Sequence, residues 1–364
     1  MENSRPTSGK LGLNTAQPQS GVYPLVFLVA VGILLLSFVP IPKMNLPDLS
    51  NNFRWRQDLI SAYSQLRLGL GDRVFYHVLV GQKGWLYYTA DGSMAEYQKT
   101  NGMKRKDLAT LAGELDALNA DLQREGKTFL LVIAPNKSSI YPQYMPAELP
   151  IIGQTSQLDQ LLEYMSEHGS MHIVDLRSML IEQSATSQVY YRTDTHWNDL
   201  GAYYASRDIL NALAEKYPAL AAYPLTDYRR VKRPDQTWDL ANIMGMPQLQ
   251  EETWILTAKR TQLKGNGRIQ KNQRLPDGTS IRRISSQNAT LPRLVIYHDS
   301  FYLPIEKFIE PRFGSVTALP YTLQPGVWST RWIQKETPDI VVIEIAERSL
   351  DHLRELLESD PQGR

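Results

Sequence analysis

Two short stretches of this chain carry the three groups that serine acyl transfer requires. Asp194 and His196 lie in the segment D-T-H-W-N, and Ser300 lies about a hundred residues later in the segment H-D-S-F. A serine hydroxyl is a weak nucleophile at neutral pH. It needs an imidazole to accept its proton and a carboxylate to orient that imidazole and stabilise its charged form. The residue types therefore predict a serine-based acyl-transfer site.

The local context suggests how these groups meet. One residue separates Asp194 from His196, so an extended backbone directs both side chains the same way. We expect Asp194 to hold one ring nitrogen while the other faces Ser300. Ser300 follows the apolar segment Arg293–Tyr297 by three residues, and active residues of α/β sheets gather at the carboxyl ends of strands. The alternatives are a Ser300 that caps the next helix and a His196 that merely packs beside Trp197.

His298 is a rival base or an active-site hydrogen-bond donor, because it shares a face with Ser300 in an extended approach. Metal binding by His196, His298 and acidic neighbours is a weaker alternative, since no HExxH or comparable ligand spacing is present. We expect neither a metal nor another cofactor.

Candidates for oxyanion stabilisation lie near the same sheet edge. The backbone N–H groups of Ser300 and Phe301 are one source. Asn136 follows a predicted strand that ends at Ala134, and its side-chain amide is another. Lys137 would either pair with an acidic sugar or hold the loop. An ordinary turn at Asn136 and Lys137 is the alternative reading of both.

A further candidate surface is the loop-like stretch around residues 328–332. Trp328 and Arg331 there, beside Trp332, suit stacking on sugar rings and binding of carboxylates. Core packing is the more common role of tryptophan and stays open as the alternative.

The order of predicted elements indicates an α/β fold. Leu108, Leu111, Leu115, Leu118 and Leu122 recur at steps of three and four, which is typical of a helix with one apolar face. The following run, Thr128–Ala134, is apolar without alternation and suits a parallel strand covered on both sides. The remaining pattern predicts further alternating elements, namely a strand at 84–88 after a helix from 53, helices at 157–167, 199–217 and 349–358, and strands at 172–176, 188–191, 293–297 and 339–345.

The pattern divides the chain into regions. Residues 1–21 are polar and predicted to be disordered, and residues 22–41 form an uncharged apolar run of membrane-spanning length. A cleaved signal peptide is the alternative, but no small-x-small site follows the run. Residues 42–80 are predicted to form a stalk and leading helix. Residues 81–360 are predicted to form the catalytic domain, with a polar insertion or hairpins near 238–290.

The amino-acid composition excludes several classes of function. The net charge is +1 over 364 residues, so nothing favours nucleic acid as a partner. The chain has no cysteine, which excludes a thiol nucleophile, a thiolate metal site and any disulfide.

Several motifs together resemble the SGNH-hydrolase-like domain of the alginate O-acetylation proteins of AlgX/AlgJ type. The similar segments, which span roughly residues 81–348, are Gly81–Tyr88, Pro135–Lys137 with Ile140–Pro142, Asp194–Asn198 with Gly201–Ala202, Asp239–Ala241, His298–Phe301, and Pro338–Asp339 through Glu347–Arg348. The D-x-H-W-N and D-S-F blocks in this order are the most specific.

The resemblance implies a flavodoxin-like parallel sheet flanked by helices and a triad of Ser300, His196 and Asp194. It also implies extracytoplasmic O-acetylation of an exported polysaccharide, with a membrane-bound O-acyltransferase passing acetyl groups across the membrane. We expect a single-pass protein of the cytoplasmic membrane with its catalytic domain outside. The alginate-binding features of the family have no residue-by-residue match here, so alginate is not the expected acceptor. An acetyl esterase and a non-catalytic glycan-binding protein on the same fold are the alternatives.

Overall fold

The computed structural model describes residues 31, 56–259, 269–274, 280–286, 288, 290–320 and 330–358. Inter-residue contacts divide the chain into two units, Met1–Gln57 and Asp58–Arg364. All the architecture given below belongs to the second unit, apart from the first two residues of one helix, Arg56 and Gln57. The predicted tail and membrane segment, apart from Val31, lie outside the described residues, as does Trp328. No helix in the described part of the chain is both long and apolar enough to cross a bilayer.

The centre of the molecule is a seven-stranded mixed sheet. The twelve strands of the described residues are β1 Val74–Phe75, β2 Val78–Val80, β3 Leu86–Tyr88, β4 Thr128–Ala134, β5 Ile173–Asp175, β6 Tyr228–Thr237, β7 Gln250–Ala258, β8 Ile269–Arg274, β9 Ser280–Ser285, β10 Arg293–His298, β11 Ser315–Pro320 and β12 Ile340–Ala346. The order in the central sheet is β5-β4-β12-β10-β11-β9-β8. The first five of these run parallel, and β9 and β8 add antiparallel strands at one edge.

Helices cover both faces of the sheet. They are α1 Arg56–Gly69, α2 Ser93–Gln98, α3 Arg105–Arg124, α4 Lys137–Ile140, α5 Gln157–His168, α6 Arg177–Ser184, α7 Asp199–Ala214, α8 Asp239–Ile243, α9 Tyr302–Ile309, α10 Thr330–Glu336 and α11 Leu350–Glu358. Short 3₁₀ turns lie at Gln82–Gly84, Pro142–Tyr144, Pro218–Leu220, Leu225–Asp227, Glu310–Arg312 and Glu347–Ser349.

The strand sequences explain why the sheet is covered on both sides. Every residue of β12 is buried, and so are six of the seven residues of β4. Successive side chains alternate between two apolar cores. Leu130 and Val132 face the core that contains residues of α7 and α9, whereas Leu131 and Ile133 face the core that contains residues of α3 and α5. Glu344 of β12 is a buried carboxyl group in this otherwise apolar strand.

Helix ends follow their sequence signals. Ser156 and Asp159 form a capping box at the start of α5. The Asn198 side chain accepts hydrogen bonds from the backbone N–H groups of Leu200 and Gly201, both at 3.0 Å, and so caps α7. Gly126, two residues beyond α3, has a φ of +75°, which favours glycine at that turn.

Three local predictions were wrong. The predicted parallel sheet is in fact mixed. Within the polar region 238–290, β8 and β9 form a hairpin, which was one of the two predicted forms, and this hairpin pairs with the edge of the sheet instead of forming a separate insertion. The strand predicted at 188–191 is an isolated bridge between Tyr190 and Trp197. The loop-like stretch before the last strand contains helix α10, which buries Trp332.

Two further small sheets flank the main one. β1, β2 and β3 form an antiparallel meander whose apolar side packs on Leu240 of α8 and on Met244, the residue that follows α8. β6 and β7 form a long hairpin. Both contribute side chains or backbone groups to the loop that carries His196.

Candidate active site

The structure brings Asp194, His196 and Ser300 into one chain of hydrogen bonds. His196 Nδ1 lies 2.7 Å from Asp194 Oδ1, and His196 Nε2 lies 2.8 Å from Ser300 Oγ. Because a carboxylate only accepts hydrogen bonds, Nδ1 carries the proton and Nε2 is free to accept the hydroxyl proton of Ser300. The arrangement has the order and distances that a serine nucleophile needs.

Asp194 is held as a carboxylate. Besides its ring contact, His196 donates its main-chain N–H to Asp194 Oδ1 at 2.8 Å. Burial alone would raise the pKa of Asp194, but the hydrogen bonds and charge of His196, together with Lys137, outweigh burial and lower it. A charged Asp194 stabilises the imidazolium that forms when His196 accepts a proton.

Residues 190–198, the base loop, have little regular structure and are held by Lys137. The Lys137 ammonium is buried and donates to the backbone carbonyls of Tyr191 at 3.1 Å, Arg192 at 3.0 Å and Asp194 at 2.6 Å. Burial lowers the pKa of Lys137 to about 8, against the opposing effect of Asp194 and two other carboxylates. Of the two roles predicted for Lys137, the contacts are those of holding the loop.

Two acidic side chains fix the other side of the base loop. Glu251 of β7 accepts the backbone N–H of Arg192, with both carboxylate oxygens at 3.0 Å. Asp239, at the start of α8, accepts the backbone N–H of Thr195 at 2.7 Å. Asp239 also lies 3.9 Å from His196 Nδ1. Burial, with the charge of Asp194, raises the pKa of Asp239.

Sequence reasoning missed both acidic residues as contributors to the site. Asp239 was noted only as part of a family motif, and the signal for Glu251 was weak, because it lies in a polar stretch with an acidic neighbour. Asp194, His196 and Asp239 bring three potential metal-ligand atoms within 4.8 Å of one another. Hydrogen bonds from His196 and Thr195 already account for Oδ1 of both carboxylates.

Aromatic rings pack against the side of the His196 ring that faces the core. The Phe301 ring is buried, 4.8 Å from the His196 ring and 4.9 Å from the Trp197 ring. Tyr190 contacts both Trp197 and Phe301, and its hydroxyl donates to the carbonyl of Pro135 at 2.6 Å. His196 is thus packed beside Trp197, as the alternative reading required, and is also bonded to Ser300.

Residues 298–302, the nucleophile turn, are organised by Asp299. Asp299 Oδ1 accepts the N–H of Phe301 and Oδ2 accepts the N–H of Ala346, each at 2.8 Å. The Phe301 N–H is therefore already bonded, and its predicted role as an oxyanion donor does not fit this arrangement. The Ser300 N–H has no partner within the described residues. Ser300 does not cap α9, whose N-terminal residue has no side-chain cap.

A second carboxyl group lies beneath Asp299. Glu344 is fully buried, and its Oε2 accepts the N–H of Asp299 at 3.1 Å. Burial, reinforced by the charge of Asp299, raises the pKa of Glu344 well above its ordinary value. The raised pKa favours the protonated, neutral form of the Glu344 carboxyl group.

Asn136 offers a donor to a small cavity beside the base loop. Arg348 donates to Asn136 Oδ1 at 3.3 Å, and because arginine only donates, this contact leaves the amide Nδ2 on the other side. Nδ2 is buried without a partner in the described part of the chain. Asn136 lines a cavity of about 10 Å³, together with Thr195 and Lys137, which has room for roughly one water-sized group.

His298 is not arranged as the base. Its Nδ1 donates to the carbonyl of Asp299 at 2.7 Å, and its ring packs on Tyr302 at 4.5 Å. Burial lowers its pKa to about 4, so the ring stays neutral at physiological pH. Ser300 is bonded to His196 instead.

Of the predicted sugar-stacking group, Trp328 lies outside the described residues. Arg331 is exposed on α10, with its guanidinium 5.2 Å from the ring of Trp332. Trp332 is buried in the core between helices and sheet, so the alternative of core packing is correct for it.

The mixed sheet, its helices and the carboxylate–imidazole–hydroxyl chain at the carboxyl edge define an SGNH-hydrolase-like α/β protein. Residues 78–279, over half of the chain, match the sequence model described as "ALGX: SGNH hydrolase-like domain, acetyltransferase AlgX", and the chain belongs to this family. The resemblance drawn from the motifs is thereby confirmed. The matched region contains Asp194 and His196 and ends before Ser300.

Curated relatives share one part of the chain. The "Probable alginate O-acetylase AlgJ" of Pseudomonas syringae pv. tomato is 28% identical over 141 residues, which are 39% of this chain and 34% of that protein. Its counterpart from Pseudomonas putida is 28% identical over 142 residues, 38% of this chain and 34% of that protein. The matched stretch thus spans about a third of the length of these relatives.

Two solved structures share the fold. Bacillus cereus PatB1 with a sulfonyl adduct has a TM-score of 0.55 at 15% identity and covers 75% of this chain and 97% of its own. A DHHW family protein from Eubacterium siraeum has a TM-score of 0.52 at 15% identity, covering 79% of this chain and all of its own. At such identities the likeness concerns the fold alone.

Proposed function

We propose that this chain is a serine-dependent O-acetyltransferase that modifies hydroxyl groups of an exported or cell-wall polysaccharide. The observation that carries the proposal is the unbroken chain from Asp194 through His196 to Ser300, with heavy-atom distances of 2.7 and 2.8 Å. Membership of an acetyltransferase family and partial likeness to alginate O-acetylases support the reaction class.

The geometry suggests two half-reactions. In the first, His196 Nε2 takes the hydroxyl proton while Ser300 Oγ attacks the carbonyl carbon of an acetyl ester. The tetrahedral intermediate collapses, the donor oxygen leaves with the proton from His196, and acetyl-Ser300 remains. In the second, His196 deprotonates a sugar hydroxyl, which attacks the acetyl carbonyl. Ser300 departs with that proton, so each half-reaction balances.

Oxyanion stabilisation follows from the two unpartnered donors. The Ser300 N–H lies on the nucleophile itself, and Asn136 Nδ2 is buried beside Thr195, one residue from His196. Donors held in place before the reaction stabilise developing charge without reorganisation. We assign the oxyanion to these two groups and not to Phe301, whose N–H is engaged by Asp299.

The direct test is to trap Ser300. The purified chain is treated with phenylmethylsulfonyl fluoride, and separately with p-nitrophenyl acetate, and the adduct is located by peptide mass spectrometry. We expect both labels on Ser300 in the wild type and neither in Ser300→Ala. Sulfonyl reagents suit this purpose, and the related fold of PatB1 was solved with a sulfonyl adduct. Absence of any Ser300 adduct in a folded wild-type chain would refute the proposal.

Transfer is separated from hydrolysis by adding an acceptor. With p-nitrophenyl acetate as donor, a transferase should yield acetylated oligosaccharide at the expense of free acetate. Equal acetate release with and without oligosaccharides of several classes would identify an esterase instead.

We further propose that residues 22–41 anchor the chain in the cytoplasmic membrane with the catalytic domain outside, where a membrane-bound O-acyltransferase supplies acetyl groups. The natural chain has no cysteine, so a single introduced thiol reports its location. Lys106→Cys should react with an impermeant maleimide when only the outer envelope is permeabilised, whereas Lys10→Cys should react only after full lysis. The reverse labelling would overturn the orientation.

A further inference from the structure

An open groove leads to Ser300 from the side opposite the base loop. It has a volume of about 550 Å³, within the range of small-molecule sites, and it is lined by Ser300 together with residues of β8, β9, β11 and α9. Ile281, Leu303, Ala318 and Pro320 give it apolar walls. Leu303 is 56% exposed, although it lies only three residues from the nucleophile.

The groove lies where an acceptor must approach. Ser300 Oγ is covered on one side by His196 and the aromatic rings behind it. β10 and β11 both end at the groove, and ligands of open α/β sheets bind outside the carboxyl ends of strands. The antiparallel pair β8 and β9 extends the sheet beyond β11 and supplies Asn272 and Ser280 as polar groups on the far wall.

The charges in the groove favour one class of acceptor. Among the described lining residues the cation is Arg282, and it is ion-paired with both Glu306 and Glu310. Tyr302 donates to Glu310 at 3.0 Å and completes that cluster. The other ionisable lining groups are Asp299, which is buried and bonded to two backbone N–H groups, and His298, which is neutral. Arg274 lies further along β8 and is not part of the lining.

These contacts leave no positive charge in the described lining to meet an incoming carboxylate. A carboxylate brought out of water without a cation loses hydration that nothing replaces. Arg282 and Glu306 line the groove, whereas Glu310 is linked to it only through its ion pair with Arg282. The three side chains together carry one formal negative charge, so a negatively charged sugar would also meet weak repulsion there, which acts as a filter on substrates. An uncharged sugar instead finds apolar walls for its C–H faces and two polar side chains for its hydroxyls.

We propose that the acceptor bound in this groove is an uncharged sugar, of hexose or N-acetylhexosamine type, and not a uronate. This inference rests on the proposed acetyl transfer at Ser300. It narrows the substrate class to neutral segments of a glycan.

Matched acceptors test the inference. The full-length chain in detergent is given p-nitrophenyl acetate and either cello-oligosaccharides or oligogalacturonides of equal length, and acetylated products are counted by mass spectrometry. We expect at least tenfold more transfer to the neutral series at low salt, with the difference shrinking at high salt because screening weakens repulsion. Equal or greater transfer to the uronate series would overturn the inference.

A charge variant sharpens the result. Glu306→Gln removes one of the two carboxylates that neutralise Arg282, and transfer to the uronate series should rise by about fivefold. Glu215→Gln, an exposed glutamate on another part of the surface, is the matched control and should leave the acceptor ratio as it is. An unchanged ratio in folded Glu306→Gln would count against the role of the ion-paired cluster.

A steric variant tests the groove itself. Leu303→Trp fills the space beside Ser300, so the ratio of transfer to hydrolysis should fall at least tenfold. Ile152→Trp, which enlarges an exposed aliphatic side chain elsewhere, should not lower it. An undiminished ratio in Leu303→Trp would show that the acceptor binds outside the groove.

The two levels of proposal fail in different ways. If Ser300 takes up no label, acetyl transfer itself is refuted. If Ser300 is acetylated but neither acceptor series receives acetyl, or the uronates receive it equally, only the assignment of the groove is refuted.

Discussion

The two halves of the active site are held by different means. The base loop, residues 190–198, is tied by Lys137, Glu251 and Asp239, three side chains from three separate elements. The nucleophile turn, residues 298–302, is organised from within by Asp299 and backed by Glu344 of the neighbouring strand. A loop with little hydrogen bonding of its own needs remote partners, whereas a turn at a strand end inherits its position from the sheet.

The first test of this contrast compares the two histidines. His196→Gln should lower kcat/KM for acetyl transfer by about 10³-fold or more, because Ser300 loses its base. His298→Gln should cost far less, roughly tenfold at most, since the Nδ1 contact of His298 is to a backbone carbonyl. Steady-state kinetics with p-nitrophenyl acetate decide the matter. A larger loss in His298→Gln would reverse the assignment.

The second test removes the central tie of the base loop. Lys137→Met leaves three backbone carbonyls without their donor, so we expect a loss of about 2–5 kcal/mol in the free energy of unfolding. In the folded fraction, displacement of His196 should lower kcat/KM by roughly 100-fold. Denaturant unfolding and kinetics measure both effects.

Lys106→Met is the control for this variant, because Lys106 is an exposed lysine on α3. It should change neither quantity appreciably. Wild-type activity in Lys137→Met would show that the base loop keeps its geometry without the ammonium group.

The third test addresses the nucleophile turn. Glu344→Gln keeps a neutral group of the same shape, so activity should stay within about threefold of wild type. Glu344→Ala leaves a cavity and frees the Asp299 N–H, and activity should fall by roughly tenfold. The infrared C=O band of a buried protonated carboxylic acid should be present in the wild type and lost in Glu344→Gln. A wild-type spectrum without that band would contradict a neutral Glu344.

The fourth test concerns stability and pH, with the smallest expected effect on catalysis. The pKa of His298 is lowered to about 4 in the folded protein by burial, whereas an unperturbed histidine titrates near 6.5. Between these values the unfolded chain binds a proton that the folded chain does not. Stability therefore falls as pH drops from about 6.5 to 4, by up to roughly 3 kcal/mol.

His298→Gln should flatten that slope in denaturant unfolding measured across this pH range. His172→Gln, at an exposed position, is the matched control and should keep the wild-type slope. An unaltered slope in His298→Gln would mean that His298 does not cause the acid sensitivity.

Much of the fold could be predicted because its core elements have strong patterns. β4, β10 and β12 are continuous apolar runs, and their predicted bounds agree with the structure to within one residue. The mixed edge of the sheet could not be predicted. β8 is exposed along its whole length, so its sequence carries no apolar pattern that marks it as part of a sheet.

The same reasoning explains which residues of the site could be predicted from the sequence. Asp194, His196 and Ser300 have side chains with recognisable chemistry at recognisable positions. The roles of Lys137, Glu251 and Glu344 depend on contacts with backbone groups 45 to 59 residues away, which local sequence does not encode. A buried glutamate inside the apolar run of β12 was the one available clue to Glu344.

The separation of 104 positions in the sequence between His196 and Ser300 also affects how the protein acquires its reactivity. Contacts between residues so far apart in sequence form slowly, because the chain loses conformational entropy before the contacts contribute any stabilising free energy. In a nascent or partly folded chain the Ser300 hydroxyl therefore lacks its base and does not react with acyl donors. During refolding, reactivity toward sulfonyl reagents should return only with the closed sheet, behind the early signals of helix formation.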